Sequence, residues 1–331
     1  MFTGSIPQIA CKKTGKGGSM MKKQVFTIVL LSVLFSSLRG HAAEKLILML
    51  DWFPNVDHVP VYAAMQKGFF GEKGLSIEIL SPSDSADPLK LAAAGHVDLA
   101  LSYQPQAIIA ASAGIEIRAV GRLVGTPLTT MLFLKGSGIS APADLTGKKI
   151  GYTVPGMMDH LADAFARMNG IREYSLVNVG FTILQALVSG EADAVMGPFK
   201  NYEPAAMEME GYPAGFFEIE RYGIPLYDEL VFVTGARVFE KRRDEIGRFL
   251  EALEEGISFT LEHPGEALEI YFRAVPEAPR EMERKAFMAT YPLFGPDTKL
   301  DEKRWKAFAD FALEYGLIEK EVNVHELLVR P

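Results

Sequence analysis

The stretch Leu91–Leu101, LAAAGHVDLAL, has a counterpart in Ala186–Met196, ALVSGEADAVM. Each reads as a short helix stopped by a glycine (Gly95, Gly190). In each, a strand follows that carries an aspartate three residues past the glycine (Asp98, Asp193). Other marks repeat at nearly the same distance. Gly74 and Gly170 lie 96 residues apart, Gly95 and Gly190 95, Asp98 and Asp193 95, Phe133 and Phe232 99. Self-similarity at a fixed offset indicates an internal duplication.

Working outward, the apolar and periodic runs fall in one order twice. In the first copy, Leu46–Leu50 reads as a strand, Val59–Gly68 as a helix, LSIEIL after Gly74 as a strand and Leu89–Ala94 as a helix. Val97–Leu101 reads as a strand, Gln106–Ala113 as a helix, and Ile117–Leu123 and Met131–Leu134 as strands. In the second copy, strands are predicted at Lys149–Val154, Ser175–Phe181, Ala192–Met196, Phe216–Glu220 and Leu230–Thr234. Its helices are predicted at Met158–Met168, Ile183–Ser189 and Glu203–Glu210. Strand–helix alternation implies parallel sheets covered by helices on both faces. Each copy is near the modal domain size of about 100–150 residues. The expected fold class is therefore α/β with two lobes, a hinge and an interlobe cleft; one continuous doubly wound sheet is the alternative. Residues 237–331 do not repeat and are helix-rich, with Arg243–Glu262 and Lys303–Tyr315 the clearest amphipathic stretches. They are expected on the first lobe, the chain recrossing near Tyr227–Leu230. The expected lobes are 44–126 plus 230–331, and 127–229.

The 331-residue chain is 48 % hydrophobic and 23 % charged, the balance of an ordinary globular protein. Its net charge of −8 is uneven: residues 1–43 carry six basic side chains and no acid, leaving 28 basic against 42 acidic, net −14. An acidic body is a poor partner for nucleic acid or an anionic lipid surface. Lys22 and Lys23, the apolar run Val25–Phe35 and the small-x-small Gly40-His41-Ala42 read as a secretory signal peptide, cut after Ala42 or Ala43. Residues 1–19 have no role in that scheme, and the start falls at Met1, Met20 or Met21. Cys11, the one cysteine, precedes the apolar run, so no disulfide, thiol nucleophile, thiolate metal site or lipid-anchor cysteine is expected after it. The expected location is the periplasm.

In open α/β sheets, ligands sit at the carboxyl ends of strands. Those ends hold Asp51-Trp52-Phe53-Pro54-Asn55 with Asp57-His58, Ser102-Tyr103-Gln104-Pro105, Pro155-Gly156-Met157, Gly197-Pro198-Phe199 with Asn201-Tyr202-Glu203, and Tyr222–Glu229. The inventory is aromatic rings, amides and carboxylates, without a cluster of Arg or Lys. Rings can sandwich a flat heterocycle, and carboxylates and amides can fix its edge. This favours an aminopyrimidine over a sulfonate, nitrate or phosphate. Asp98 and Asp193 read as structural residues of turns. No GxSxG, HExxH, GxxxxGK[ST] or strand-borne GxGxxG occurs, and the six histidines lack metal-ligand spacing. No enzyme activity, cofactor or metal is expected.

The blocks LDWFPNVDH, GFFGEKGLSIEI, ADPLKLAAAGHVDLALSYQP, VSGEADAVMG, NYEP and YGIPLYDELVF, between about Leu50 and Phe232, resemble a known family. It is the ThiY-like substrate-binding proteins of ABC transporters that import thiamine pyrimidine precursors. The resemblance implies a type II periplasmic-binding-protein architecture and a ligand such as formylaminopyrimidine, closed between lobes and delivered to a permease with its ATPase. The same broad family holds fungal pyrimidine-building enzymes that depend on a cysteine-rich segment, from which this chain departs; a related group binds riboflavin. A monomer is expected. Trp52 and Tyr103 are expected to wall the ring, with Asp51 beside them. Asn55 and His58 are expected to bond its substituents, Asn201 and Glu203 its edge. Gly156 would offer a backbone N–H, and Tyr227 and Asp228 would sit at the hinge.

Overall fold

The computed structural model describes Met1, residues 3–5 and residues 43–331. The apolar leader run and Cys11 lie outside the described residues. All that follows concerns the compact unit Ala43–Pro331.

Ten strands and twelve helices follow one another: β1 (Glu44–Met49), α1 (Val59–Lys67), α2 (Phe69–Glu72), β2 (Leu75–Leu80), α3 (Asp87–Ala93), β3 (Leu99–Ser102), α4 (Gln104–Ser112), β4 (Ile117–Val124), β5 (Thr129–Leu134), β6 (Lys149–Tyr152), α5 (Met158–Met168), β7 (Ser175–Asn178), α6 (Ile183–Ser189), β8 (Ala194–Phe199), α7 (Glu203–Met209), β9 (Ala214–Glu218), β10 (Leu230–Gly235), α8 (Ala236–Glu262), α9 (Pro264–Ala274), α10 (Arg280–Thr290), α11 (Glu302–Tyr315) and α12 (Val324–Leu327). They build two five-stranded sheets, ordered β2-β1-β3-β10-β4 and β7-β6-β8-β5-β9. In the first, β1 is parallel to β2 and β3, and β10 is antiparallel to β3 and β4. In the second, β6 is parallel to β7 and β8, and β5 is antiparallel to β8 and β9. The centres are buried on both faces, as for β3 (LALS) and β10 (LVFVTG), which explains their continuous apolar runs.

The two orders coincide when β1–β5 is laid on β6–β10. The fifth strand of each repeat is then exchanged: β5 lies in the second sheet and β10 in the first. Repeat and sheet therefore have different boundaries, and the chain crosses between sheets twice, over residues 125–128 and 219–229. The repeated aspartates perform one structural task in both copies. Asp98 Oδ2 accepts from Ile47 N–H at 2.8 Å while its own N–H donates to Ile47 O at 3.0 Å. Asp193 Oδ2 accepts from Lys149 N–H at 2.9 Å while its N–H donates to Lys149 O at 2.8 Å. Each clamps the strand at the head of its own sheet, so the motif that reveals the duplication is a fold element.

The C-terminal helices lie on the first sheet, α8 and α9 against α1, and α12 against β4. Helix α8 starts earlier than its amphipathic pattern predicts. It begins at Ala236 and breaks at Arg242 (φ −126°), whose Nη1 reaches Asp98 Oδ1 at 2.7 Å. Gly256 sets its approach to α1: a Cβ there would fall 2.5 Å from Pro60 O.

Two acids pin the crossings. Glu229 Oε2 accepts from Leu128 N–H (2.6 Å), Thr129 N–H (2.8 Å) and Tyr227 O–H (3.1 Å), and Oε1 accepts from Thr129 Oγ1 (2.9 Å). Burial holds its carboxyl up at about 7. Asp228 accepts from Trp305 Nε1 (2.8 Å), Arg304 Nη1 (2.9 Å) and Arg122 Nη1 (3.5 Å). Tyr227 and Asp228, expected at the hinge and counted among the ligand residues, are fully buried at these crossings. The correction is physical: their polar atoms are spent tying the two crossings and α11 together.

Candidate functional site

The first wall of the crevice grows from the end of β1. Asn55 caps a single 3-10 turn, Val56–His58: its Oδ1 accepts from Asp57 N–H at 2.8 Å. His58 Nδ1 accepts in turn from Asn55 N–H at 3.2 Å, so the ring's other nitrogen is the donor. That Nε2 meets Asp51 Oδ1 at 2.9 Å. Tyr103, entering α4 from β3, donates its O–H to Asp51 Oδ2 at 3.0 Å. Burial, then the charge of Asp51, raises the Tyr103 phenol well above its ordinary range, so it stays a donor. Asp51 is thus a hub that holds ring and imidazole in place.

The second wall comes from β6, α5, α6, β8 and α7. Thr153, Met158, Ile183, Gly197, Phe199, Tyr202 and Glu203 face Asp51, Trp52, Asn55, Asp57 and Tyr103 across a cavity of about 20 Å³. That is room for about one water molecule, so the walls stand nearly shut. Outside lies a wider groove sharing Trp52, Asn55, Ile183, Tyr202 and Glu203. Gly197 has φ +123°, and a Cβ there would overlap the Thr153 hydroxyl, so only glycine lets β6 and β8 meet at this wall.

Glu203 Oε2 accepts from Phe199 N–H at 2.5 Å. Burial pushes its carboxyl up to about 8, with Asp57 adding in the same direction. Asp57, also lifted by burial, sits at about 6. Among the described residues no lysine, arginine or histidine lines the crevice. With carboxyls from both walls and no cation to neutralise a ligand's negative charge, it disfavours an anion.

Contacts across the crevice draw the walls together. Trp52 meets Phe181 edge-on, centroids 4.3 Å apart, and Phe53 lies 4.6 Å from Phe181. Ser85 Oγ donates to Thr153 O at 2.7 Å. Asn201 Nδ2 lies 2.7 Å from both Asp57 Oδ1 and Thr290 Oγ1. Tyr202 O–H donates to Glu283 at 3.1 Å.

Of the residues expected in the site, Asp51, Trp52, Asn55, Tyr103 and Glu203 converge on the crevice. Five others do not. His58 is fully buried behind Asp51, and Asn201 is turned to Asp57 and Thr290. Tyr227 and Asp228 lie at the crossings, and Gly156 is exposed on a turn with φ +79°. Sequence reasoning missed Asp57 and Tyr202, although both lie in its strand-end inventory. It also missed Gly197 and Phe199, again in that inventory, and Thr153 and Ile183, which carry no charge signal. Met158 also lines the wall.

Known proteins place this geometry. A Haemophilus influenzae protein provisionally named for thiamine biosynthesis is 38 % identical over 300 residues, 89 % of this chain and 95 % of that one. The formylaminopyrimidine-binding protein of Halalkalibacterium halodurans is 33 % identical, covering 78 % of this chain and 81 % of its own. More distant, at 25 % identity over 86 % of this chain and 90 % of its own, is a 4-amino-5-hydroxymethyl-2-methylpyrimidine phosphate synthase of Legionella pneumophila. Among solved structures, the alkanesulfonate-binding protein SsuA of Xanthomonas axonopodis pv. citri superposes with a TM-score of 0.70 at 17 % identity, over 88 % of this chain and all of that one. A Candida albicans protein described as having the generic periplasmic binding protein fold gives 0.69 at 19 %, over 87 % and 96 %. The fold is therefore the two-lobed periplasmic-binding-protein fold. The family model for NMT1/THI5-like proteins matches residues 55–267, and the chain belongs to that family.

Proposed function

We propose that this chain is an extracytoplasmic solute-binding protein that captures a thiamine pyrimidine precursor of the formylaminopyrimidine type and delivers it to an ABC importer, a permease with its ATPase. In this reading the lobes are residues 44–126 plus 230–331 and residues 127–229, a division that the sheet memberships support. The single observation that carries it is the crevice lining: aromatic walls, carboxyls from both sides and no basic side chain. A flat aminopyrimidine stacks on such walls and presents donors to such acids. The 33 % identity to a formylaminopyrimidine-binding protein supports the same ligand class. Among the described residues no helix is long and apolar enough to cross a membrane.

The proposed mechanism is closure about the crossings at 125–128 and 219–229, the ligand bridging the walls and the importer reading the closed form. Trp52 and Tyr103 flank the ring, Asn55 bonds a substituent and Glu203 takes an edge bearing N–H groups. His58 holds Asp51, and Asp51 holds Tyr103.

Mass spectrometry of small molecules released from the purified protein, followed by calorimetric titration with formylaminopyrimidine, tests the reading. A dissociation constant of about 1 μM or lower, some −8 kcal/mol, with the ligand recovered unchanged, is expected. Retention of a sulfonate instead, or turnover of the pyrimidine without a transporter, would overturn it.

A further inference from the structure

Asp57 is 1 % exposed and lines the crevice. Its Oδ1 accepts from Asn201 Nδ2 at 2.7 Å, while its Oδ2 has no hydrogen-bond partner among the described residues. A buried carboxylate oxygen left without a donor bears the full desolvation penalty, so such an atom in a crevice marks where a ligand donor ends. The groups facing Asp57 offer no further donor to that oxygen. Asp51 and His58 on its own segment are paired with each other, Asn201 Nδ2 serves Oδ1 and Thr290 Oγ1, and the Thr290 hydroxyl donates to Ala286 O at 2.9 Å. Tyr202 is turned to Glu283, and neither Glu203 nor Glu283 is hydrogen-bonded to Oδ2. Glu203 meanwhile enters from the opposite wall, one oxygen held by Phe199 N–H.

Resting on the reading above, the geometry points to Asp57 as a second acidic anchor, which makes the site specific for planar heterocycles that carry N–H donors on two separate edges, one for each wall. Such a ligand is a cross-link between the lobes. A heterocycle with donors on one edge satisfies Glu203 but leaves Asp57 unpaired, and closure over it is correspondingly weaker. The crevice therefore discriminates by counting donor edges, which aromatic walls alone cannot do.

Three compounds test this by calorimetry: formylaminopyrimidine, its analogue with hydrogen in place of the ring amino group, and its analogue with oxygen in place of the side-chain N–H. The parent protein is expected to bind each analogue about tenfold to a hundredfold more weakly. In Asp57→Asn, which keeps the Oδ1 acceptor for Asn201, one of these two penalties disappears and the other stays. If both persist in the variant, the proposal falls while the reading above stands. If the parent does not bind formylaminopyrimidine, both fall. Should the variant fail to fold, carbon-13 NMR of the parent decides. The Asp57 carboxyl, near 6 without ligand, is expected to titrate at least one pH unit lower once saturated, and an unmoved midpoint would refute the anchor.

Discussion

The indole of Trp52 stands edge-on to the ring of Phe181, centroids 4.3 Å apart and planes at 76°, and so joins the two walls at the mouth of the crevice. Only two tryptophans occur in the chain, and the other, Trp305, is fully buried beside Asp228. Ligand entry must disturb one indole and leave the other alone. Titration with formylaminopyrimidine is therefore expected to change the emission of the parent and of Trp305→Phe, and to leave Trp52→Phe unresponsive. Trp52→Ala also removes a stacking face, with an affinity loss of about tenfold. A full emission response in Trp52→Phe would show that the ligand sits elsewhere.

Asn201 does not itself line the crevice but spans the walls, with Nδ2 at 2.7 Å from Asp57 Oδ1 and from Thr290 Oγ1. Its truncation should act on the balance of open and closed forms and free Asp57 Oδ1, while no side chain that lines the crevice is removed. Asn201→Ala is expected to enlarge the unliganded protein in small-angle scattering. It should weaken ligand affinity about tenfold, the scale of a lost hydrogen bond to a charged group. Saturating ligand should restore the compact form. Identical scattering curves for parent and variant would remove Asn201 from the closure mechanism.

Glu203 links stability to pH with a definite sign. Its carboxyl is raised from 4.5 to about 8 in the folded protein, chiefly by burial. Between those values the folded state holds a proton that the unfolded chain has released, so stability falls as pH rises from about 4.5 to about 8 and levels off outside that window. Glu203→Gln cannot ionise. Its Tm is expected to match the parent near pH 4.5 and exceed it by a few degrees near pH 8.5, while ligand affinity drops. Parallel Tm curves for parent and variant across this range would contradict the burial argument.

The sequence disclosed the duplication because Asp98 and Asp193 answer a local backbone need, the clamp on Ile47 and Lys149, and such needs leave regular marks. It disclosed Asp51, Trp52, Asn55, Tyr103 and Glu203 because strand ends in this class face ligands. It could not separate Asp57 from His58. Those neighbours are sent to opposite sides by one 3-10 turn, a rotation no periodicity records. Phe181 was hidden for a related reason: it reads as the end of a strand, yet β7 stops at Asn178 and frees the ring for the crevice mouth. The exchange of β5 and β10 was legible in the expected lobe bounds, which already put residues 127–229 on one side and 230–331 on the other; the antiparallel pairing of the two exchanged strands was not, because it depends on contacts within each sheet.

The hinge supplies the sharpest contrast between a residue at a strand end and a residue in the site. Asp228 is fully buried, and its two oxygens take the Trp305 indole N–H at 2.8 Å and the Arg304 guanidinium at 2.9 Å. Asp228→Ala would leave a cation and an indole N–H without their acceptor inside the fold, at a cost of about 3 kcal/mol or more. In a domain of this size that corresponds to a Tm lower by roughly 5–10 °C. No atom of Asp228 lines the crevice, so the dissociation constant for formylaminopyrimidine, measured well below the variant's Tm, should stay within about threefold of the parent. A variant with parental Tm and tenfold weaker binding would reverse this assignment and return Asp228 to the ligand.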